Sequence, residues 1–259
     1  MSSAGIEVTL AEVFASLALV AVAIVISRWR SAQLEAEIGI AVLRSFVQLT
    51  AAGYVIQFVF DDGSLWFVVA LLAISVGFGT LTARSRAKDV PGATLPILIA
   101  LTGAAVVTIG LVLLLGVFDA TARYLVPVGA MVVGNAMTSS AVALNRLGDE
   151  FRQGAPQIEA TLALGATARQ AALPHLRRSL RSGTIALIDS TKTTGLIFFP
   201  GTMVGMLVAG ADPVDAVRLQ LILLYILLGG VAISSLVATS LAYRGFFTAA
   251  HQLREPVRG

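Results

Sequence analysis

The chain alternates long apolar runs with short polar joints, and this alternation predicts its architecture. Apolar residues dominate 8–26, 38–60, 65–83, 95–117, 124–147, 183–208 and 216–243. A helix that crosses a bilayer needs roughly 20 mostly apolar residues. The pattern therefore predicts an all-α, polytopic transmembrane helical bundle of about seven spans.

The joints set an expected orientation, because Lys and Arg collect on the cytoplasmic side of a membrane. Arg28 and Arg30 follow the first run, and Arg84, Arg86 and Lys88 follow the third. A long basic stretch follows the fifth, and Arg244, His251, Arg254 and Arg258 follow the last. The joints between them carry Asp61, Asp62 and Gly63, then Asp119, and later Asp212 and Pro213, with Arg123 as a mild exception. All the basic clusters fall on one side if the N-terminus, which carries Glu7 and Glu12, is outside and the C-terminus is in the cytoplasm. Arg28 and Arg30 lie after the first run rather than before it, which argues against a cleavable signal peptide. The chain reads as a single membrane domain over 1–259.

Composition strengthens this picture. Hydrophobic residues make up 57% of the chain and charged residues 13%, with a mean hydropathy of +0.87. A soluble domain carries about 25% charged residues, so the solvent for most of this chain is lipid. The net charge of +3 comes from the joints and implies no nucleic-acid partner. With no cysteine, disulfides, thiolate metal sites and redox pairs are excluded. No GxxxxGK[ST] phosphate loop is present, so the chain is not expected to be an enzyme or to hold a nucleotide itself.

One polar segment, 148–182, interrupts the pattern. Within it, 157–181 predicts two short helical pieces around Gly165, ending at Leu173-Pro174 and a basic cluster. Such an element between two spans is suited to a soluble partner. Polar residues inside the apolar runs are the candidates for a translocation path or gate. Arg44 and Gln48 share one helix face, Asn135 shares one with Ser139, and Asp189 and Lys192 are spaced to pair. Asp189 heads a hydroxyl-rich run, Ser190, Thr191, Thr193 and Thr194, and is the one candidate metal ligand, since hard cations take oxygen ligands. Pro200, before Gly201, should kink or interrupt the sixth run. Structural readings stay open for each. Arg44 can snorkel, Asn135 can bond a neighbouring helix, and Asp189–Lys192 can be a plain ion pair. Met131, Met137, Met203 and Met206 read as packing residues.

The segment 157–181 resembles the EAA-type loop of ATP-binding-cassette permeases. Glu159, Ala160 and Gly165 match its start and Leu173-Pro174 its end. Thr161 replaces an alanine, and about one helical turn is missing between Gly165 and Leu173. Further stretches are similar to a particular permease family, that of FetB-type iron exporters and plant aluminium-tolerance permeases. These are RSFVQL at 44–49, NRL at 145–147, DSTKTTG at 189–195, FPGTMVG at 199–205 and AGADPVDA at 209–216. The resemblance spans residues 35–243. It implies a permease subunit in a bacterial inner membrane that self-associates as a dimer. Two copies of a separate ATPase, carrying ATP and Mg, would dock on the 148–182 loop through Glu159, Ala160, Gly165, Leu173 and Pro174. The implied cargo is a metal ion such as iron, or a metal complex, moved outward. The residues alone leave two other readings open: an ion-coupled transporter with Asp189 as carrier, and a membrane scaffold that anchors an ATPase. The absence of Cys and of histidine inside the spans favours an oxygen-seeking cation.

Overall fold

A computed structural model describes residues 9–30, 33–62 and 64–254. Glu7, Gly63 and Arg258, used above for orientation, lie outside them. The described residues form helices with no β-strand. They are α1 (Leu10–Trp29), α2 (Glu35–Asp62), α3 (Leu65–Arg86), α4 (Thr94–Leu114), α5 (Ala122–Gln153), α6 (Ala155–Ala163), α7 (Ala168–Thr193), α8 (Gly201–Val208) and α9 (Pro213–Ala242). A 3-10 turn, Tyr243–Phe246, follows α9.

Six helices, α1 to α5 and α9, are long and apolar enough to cross a membrane. The chain is therefore a multi-pass membrane protein. The expected sixth span, 183–208, is not one helix. Its first part is the end of α7, which stops at Thr193, and its last part is the short α8. The stretch between them folds back on itself: Gly195 N–H donates to Phe198 O at 2.9 Å. Pro200, with φ −60° and ψ 145°, caps α8, so the expected interruption falls on the residues before the proline.

The core is built around α5, which packs against α3, α4, α7 and α9. Leu101, Val132, Leu144, Leu147 and Phe151 are buried there. Small residues permit the closest approach. A Cβ on Gly183 of α7 would come within 2.7 Å of Ala143 Cβ and 2.9 Å of Ser139 O on α5. By contrast α1 buries only Ser27, whose hydroxyl accepts from Leu34 N–H and donates to Glu35 Oε1, each at 3.1 Å. Most of α2 faces outward as well. Its far end is tied in where Val59 packs with Val68 of α3 and Leu125 and Val126 of α5.

Candidate coupling end and translocation groove

The 148–182 segment is less of a loop than its sequence suggests. Residues through Gln153 belong to α5, and everything from Ala168 on belongs to α7. The second helical piece does not end at Leu173-Pro174. Pro174 lies inside α7, which continues unbroken for 26 residues. A proline in a helix removes one backbone bond. Here the capping box at the start of α7 supports the turns before it: Thr167 Oγ1 accepts from Gln170 N–H (3.3 Å), and Gln170 Oε1 accepts from Thr167 N–H (2.8 Å).

What projects is α6 and its turn. Gly165 N–H donates to Leu162 O (2.9 Å) and Ala166 N–H to Thr161 O (3.3 Å). This pair of bonds is a Schellman ending, which requires a left-handed residue at the glycine position, and Gly165 has φ +87°. Ala155 and Ile158 anchor α6 on its buried face. Ala160 is exposed and Leu164 is 89% exposed at the tip. Leu173 and Pro174 are exposed on the second turn of α7, and Glu159 lines a cavity with Leu162 and His251. All five residues expected to couple a partner therefore lie at one end of the bundle.

A buried carboxylate ties that end together. Glu150 Oε2 accepts from Arg178 Nε at 2.6 Å and lies 3.2 Å from His175 Nδ1, and Oε1 pairs with Arg146 Nη2 at 2.6 Å. Either tautomer of His175 finds a partner, because Arg178 Nη2 lies 3.0 Å from the same nitrogen. Phe151 stacks on Phe246 with centroids 4.4 Å apart and meets His175 at 5.8 Å. The 32 residues of α5 extend about 48 Å, against about 30 Å of hydrocarbon. Its last turns, charged from Arg146 onward, therefore stand clear of the membrane. Burial pushes the Glu150 carboxyl up, but hydrogen bonds from Arg178 and His175 and the charges of Arg178 and Arg146 outweigh it, leaving the pKa below its ordinary value.

Deeper in the bundle, α5 and α7 enclose a groove of about 280 Å³ lined by Asn135, Thr138, Ser139, Ser182, Gly183 and Ser190. Ser139 Oγ donates to Gly183 O at 2.6 Å and touches Ser235 Oγ of α9. Since Ser139 gives its proton to the carbonyl, Ser235 is the donor between the two hydroxyls. Asn135 Nδ2 donates to Met131 O at 2.9 Å. Ser190 reaches the groove beside Asn135, about 20 Å along α5, so the end of α7 lies at bilayer depth.

Asp189 lies on a different side of α7 from the groove. It is exposed and pairs with Lys192 at 3.1 Å. The hydroxyls beside it serve the helix instead: Thr191 donates to Leu187 O, Thr193 to Asp189 O and Thr194 to Ser190 O. Among the described residues no three of His, Cys, Asp and Glu come together as a metal site. Arg44 and Gln48 lie on the exposed face of α2, and neither has a polar partner among the described residues.

A family model described as an uncharacterised protein family, UPF0014, matches residues 10–247. The chain belongs to the UPF0014 family. It is 38% identical over 244 residues to Protein ALUMINUM SENSITIVE 3 of Arabidopsis thaliana, covering 94% of this chain and 89% of that one. It is 37% identical to UPF0014 membrane protein STAR2 of rice, covering 94% and 85%. It is 36% identical to the probable iron export permease protein FetB of Escherichia coli K12, covering 92% of each. No solved structure gave a significant match.

The resemblance drawn from sequence is thus to the right family. For this UPF0014 member, the structure brings Asn135 together with Ser139 and Ser190 but leaves Asp189, Lys192, Arg44 and Gln48 outside that groove. Glu150, His175 and Arg178 were not among the expected site residues. Their only sequence signal is Glu150, an acid among the basic residues that end the fifth run. Gly183 carries no motif at all.

Proposed function

We propose that the chain is the permease subunit of an ATP-driven transporter that exports a metal ion such as iron. Two copies would form the path in the inner membrane, and two ATPase subunits, each with its own ATP and Mg, would dock on α6 from the cytoplasm. The observation that carries this reading is the projecting α6, with its exposed tip, set rigidly on α5 and α7. The iron-export name of the Escherichia coli relative and the aluminium name of the Arabidopsis relative support a metal cargo.

The mechanism follows from how α6 is held. α5 leads directly into α6, and α7 leaves four residues after it. Glu150 on α5 and His175 and Arg178 on α7 clamp the two together above α6. A push on α6 therefore moves both helices as one body, a hinge or shear motion, instead of bending a loop. Those helices carry the Asn135–Ser190 groove. The polar groups of the groove are neutral and are set among Val142, Ala186, Leu187 and Val231, so it suits a partly hydrated cation in transit better than a tightly held one. Asp189 and Arg44 lie at the surface of a single chain, where a second copy would enclose them.

The test is reconstitution in liposomes with the cognate ATPase. Iron(II) or another oxygen-seeking cation should stimulate ATP hydrolysis and accumulate on the far side. Gly165→Val, which cannot hold the left-handed turn without about 1–2 kcal/mol of strain, should preserve the fold and break metal-stimulated hydrolysis. Full coupling in that variant, or metal transport without ATP, would overturn the proposal.

A further inference from the structure

We infer that the inner end of α3 and the last turns of α5 form a binding site for the phosphate headgroup of an anionic phospholipid. A cavity of about 450 Å³ opens there, lined by Arg84, Lys88, Asp89, Pro91, Arg152 and Phe246 among others. Part of its wall is apolar and fixed: Val90 is buried, and Phe246 is held in the stack with Phe151. Arg84 is half-buried and braces the wall, donating through Nη1 to Ala87 O at 2.6 Å. That bond uses one end of the guanidinium.

The charges do not cancel. Arg152 Nη2 pairs with Asp89 Oδ2 at 2.6 Å, and Asp149 reaches Arg152 only at 3.9 Å. Among the lining groups Arg84, Lys88 and Arg152 oppose the single carboxylate of Asp89. Lys88 is exposed; its carbonyl accepts from Arg84 Nη1 at 3.5 Å, but its ammonium has no hydrogen-bond or ionic partner among the described residues. Basic residues at a joint that only set orientation need no enclosing cavity. Here a braced arginine and a free lysine flank a pocket between the ends of membrane helices, the arrangement that takes acidic lipid headgroups.

A lipid fits better than a free anion because α3 presents an exposed apolar row outside the cavity, within about one turn of Arg84. Ile74, Phe78 and Leu81 recur at i, i+4 and i+7 along α3 and are 56%, 67% and 65% exposed. This apolar ridge runs up to the level of Arg84, so a headgroup at Lys88 leaves its tails on the ridge. The site requires only that α3 and α5 cross a membrane, so its failure would leave the transport proposal untouched.

The full chain, purified in neutral detergent, is titrated with phosphatidylglycerol or phosphatidylcholine of identical chains, and retained lipid is read by native mass spectrometry. Phosphatidylglycerol should be retained roughly thirtyfold better, at about fivefold for each of two net positive charges. Lys88→Gln should lower that preference about fivefold without moving the thermal midpoint, and Lys88→Arg should keep it. Equal retention of the two lipids, or an undiminished preference in Lys88→Gln, would falsify the site. Displacement of phosphatidylglycerol by millimolar inorganic phosphate would show a free-anion site and sink the lipid assignment.

Discussion

The two halves of α7 meet their surroundings in opposite ways. In the first stretch, through Gly183, Ala172, His175, Ser179 and Gly183 are buried against α5, and a carboxylate accepts bonds from both helices. Beyond it the side chains of Asp189 and Lys192 have only each other among the described residues. The helix then gives way to a turn whose Leu196 and Ile197 are 90% and 78% exposed. The first half is complete within one chain. The second is not: irregular backbone and ionisable groups at bilayer depth persist only where protein or water covers them. The second copy proposed above would supply that cover and place Asp189 inside the assembly.

The largest effect should come from breaking the closed half. Gly183→Ile drives a branched side chain into Ala143 and the Ser139 carbonyl. Overpacking of this kind costs about 1–3 kcal/mol or more. We expect a large fall in the thermal midpoint in detergent and little folded protein. A wild-type midpoint would mean that the α5–α7 contact is not the rigid element.

That contact was hard to read from sequence, and the reason is physical. Apolar runs of lipid-crossing length announce themselves because the bilayer imposes one length on all of them, so six helices and their order were legible. The interruption near Pro200 was legible from the proline. The exact break was not: the turn in which Gly195 N–H bonds Phe198 O needs a left-handed glycine, φ +86° at Gly195, but the chain has 24 glycines and nothing local marks this one. The path of 168–193 was misjudged because Leu173-Pro174 was read as a helix end. Whether a proline ends a helix depends on the contacts on either side, and here Ala171, Ala172 and His175 are all buried. Asn135 and Ser139 line one groove because residues four apart share a helix face, while the amide of Asn135 bonds Met131 O of its own helix and not a neighbouring one. Glu150 was missed because its partners are 25 and 28 residues away.

A smaller effect should follow from opening the clamp without crowding it. Glu150→Gln keeps the shape and removes the charge. Hydrogen bonds to charged groups contribute about 1.5–3 kcal/mol, discounted here because Arg146 and Arg178 are half exposed. The variant should fold, with a modestly lower midpoint and weaker coupling of ATP hydrolysis to transport. The pH response gives a second readout. Because the folded-state pKa of Glu150 is depressed, its stabilisation is fully present above the unfolded-state value. It is lost as pH falls through the folded-state value. The wild type should therefore lose midpoint on acidification more steeply than Glu150→Gln, and parallel curves would remove the clamp from the mechanism.

The smallest effect on stability, and the sharpest on the contrast between the two halves, should come from Asp189→Asn. The carboxylate and Lys192 are exposed in a single chain, and exposed pairs contribute little to folding. The unfolding midpoint of the monomer in detergent should not move. In a reconstituted membrane the same change should reduce metal-stimulated ATP hydrolysis several-fold, because the residue would face the path enclosed by two copies. Cross-linking should separate the possibilities further. A cysteine at 189 in this cysteine-free chain should form a disulfide with its counterpart, or protect slowly from aqueous thiol reagents, only when two copies associate. A cysteine at 142, on the exposed face of α5 but at the rim of the groove, should label readily in the monomer and less once the copies pair. If Asp189→Asn transports normally and the cysteine at 189 labels equally in both states, the open half of α7 faces lipid, and the Asn135–Ser190 groove is the path within each chain.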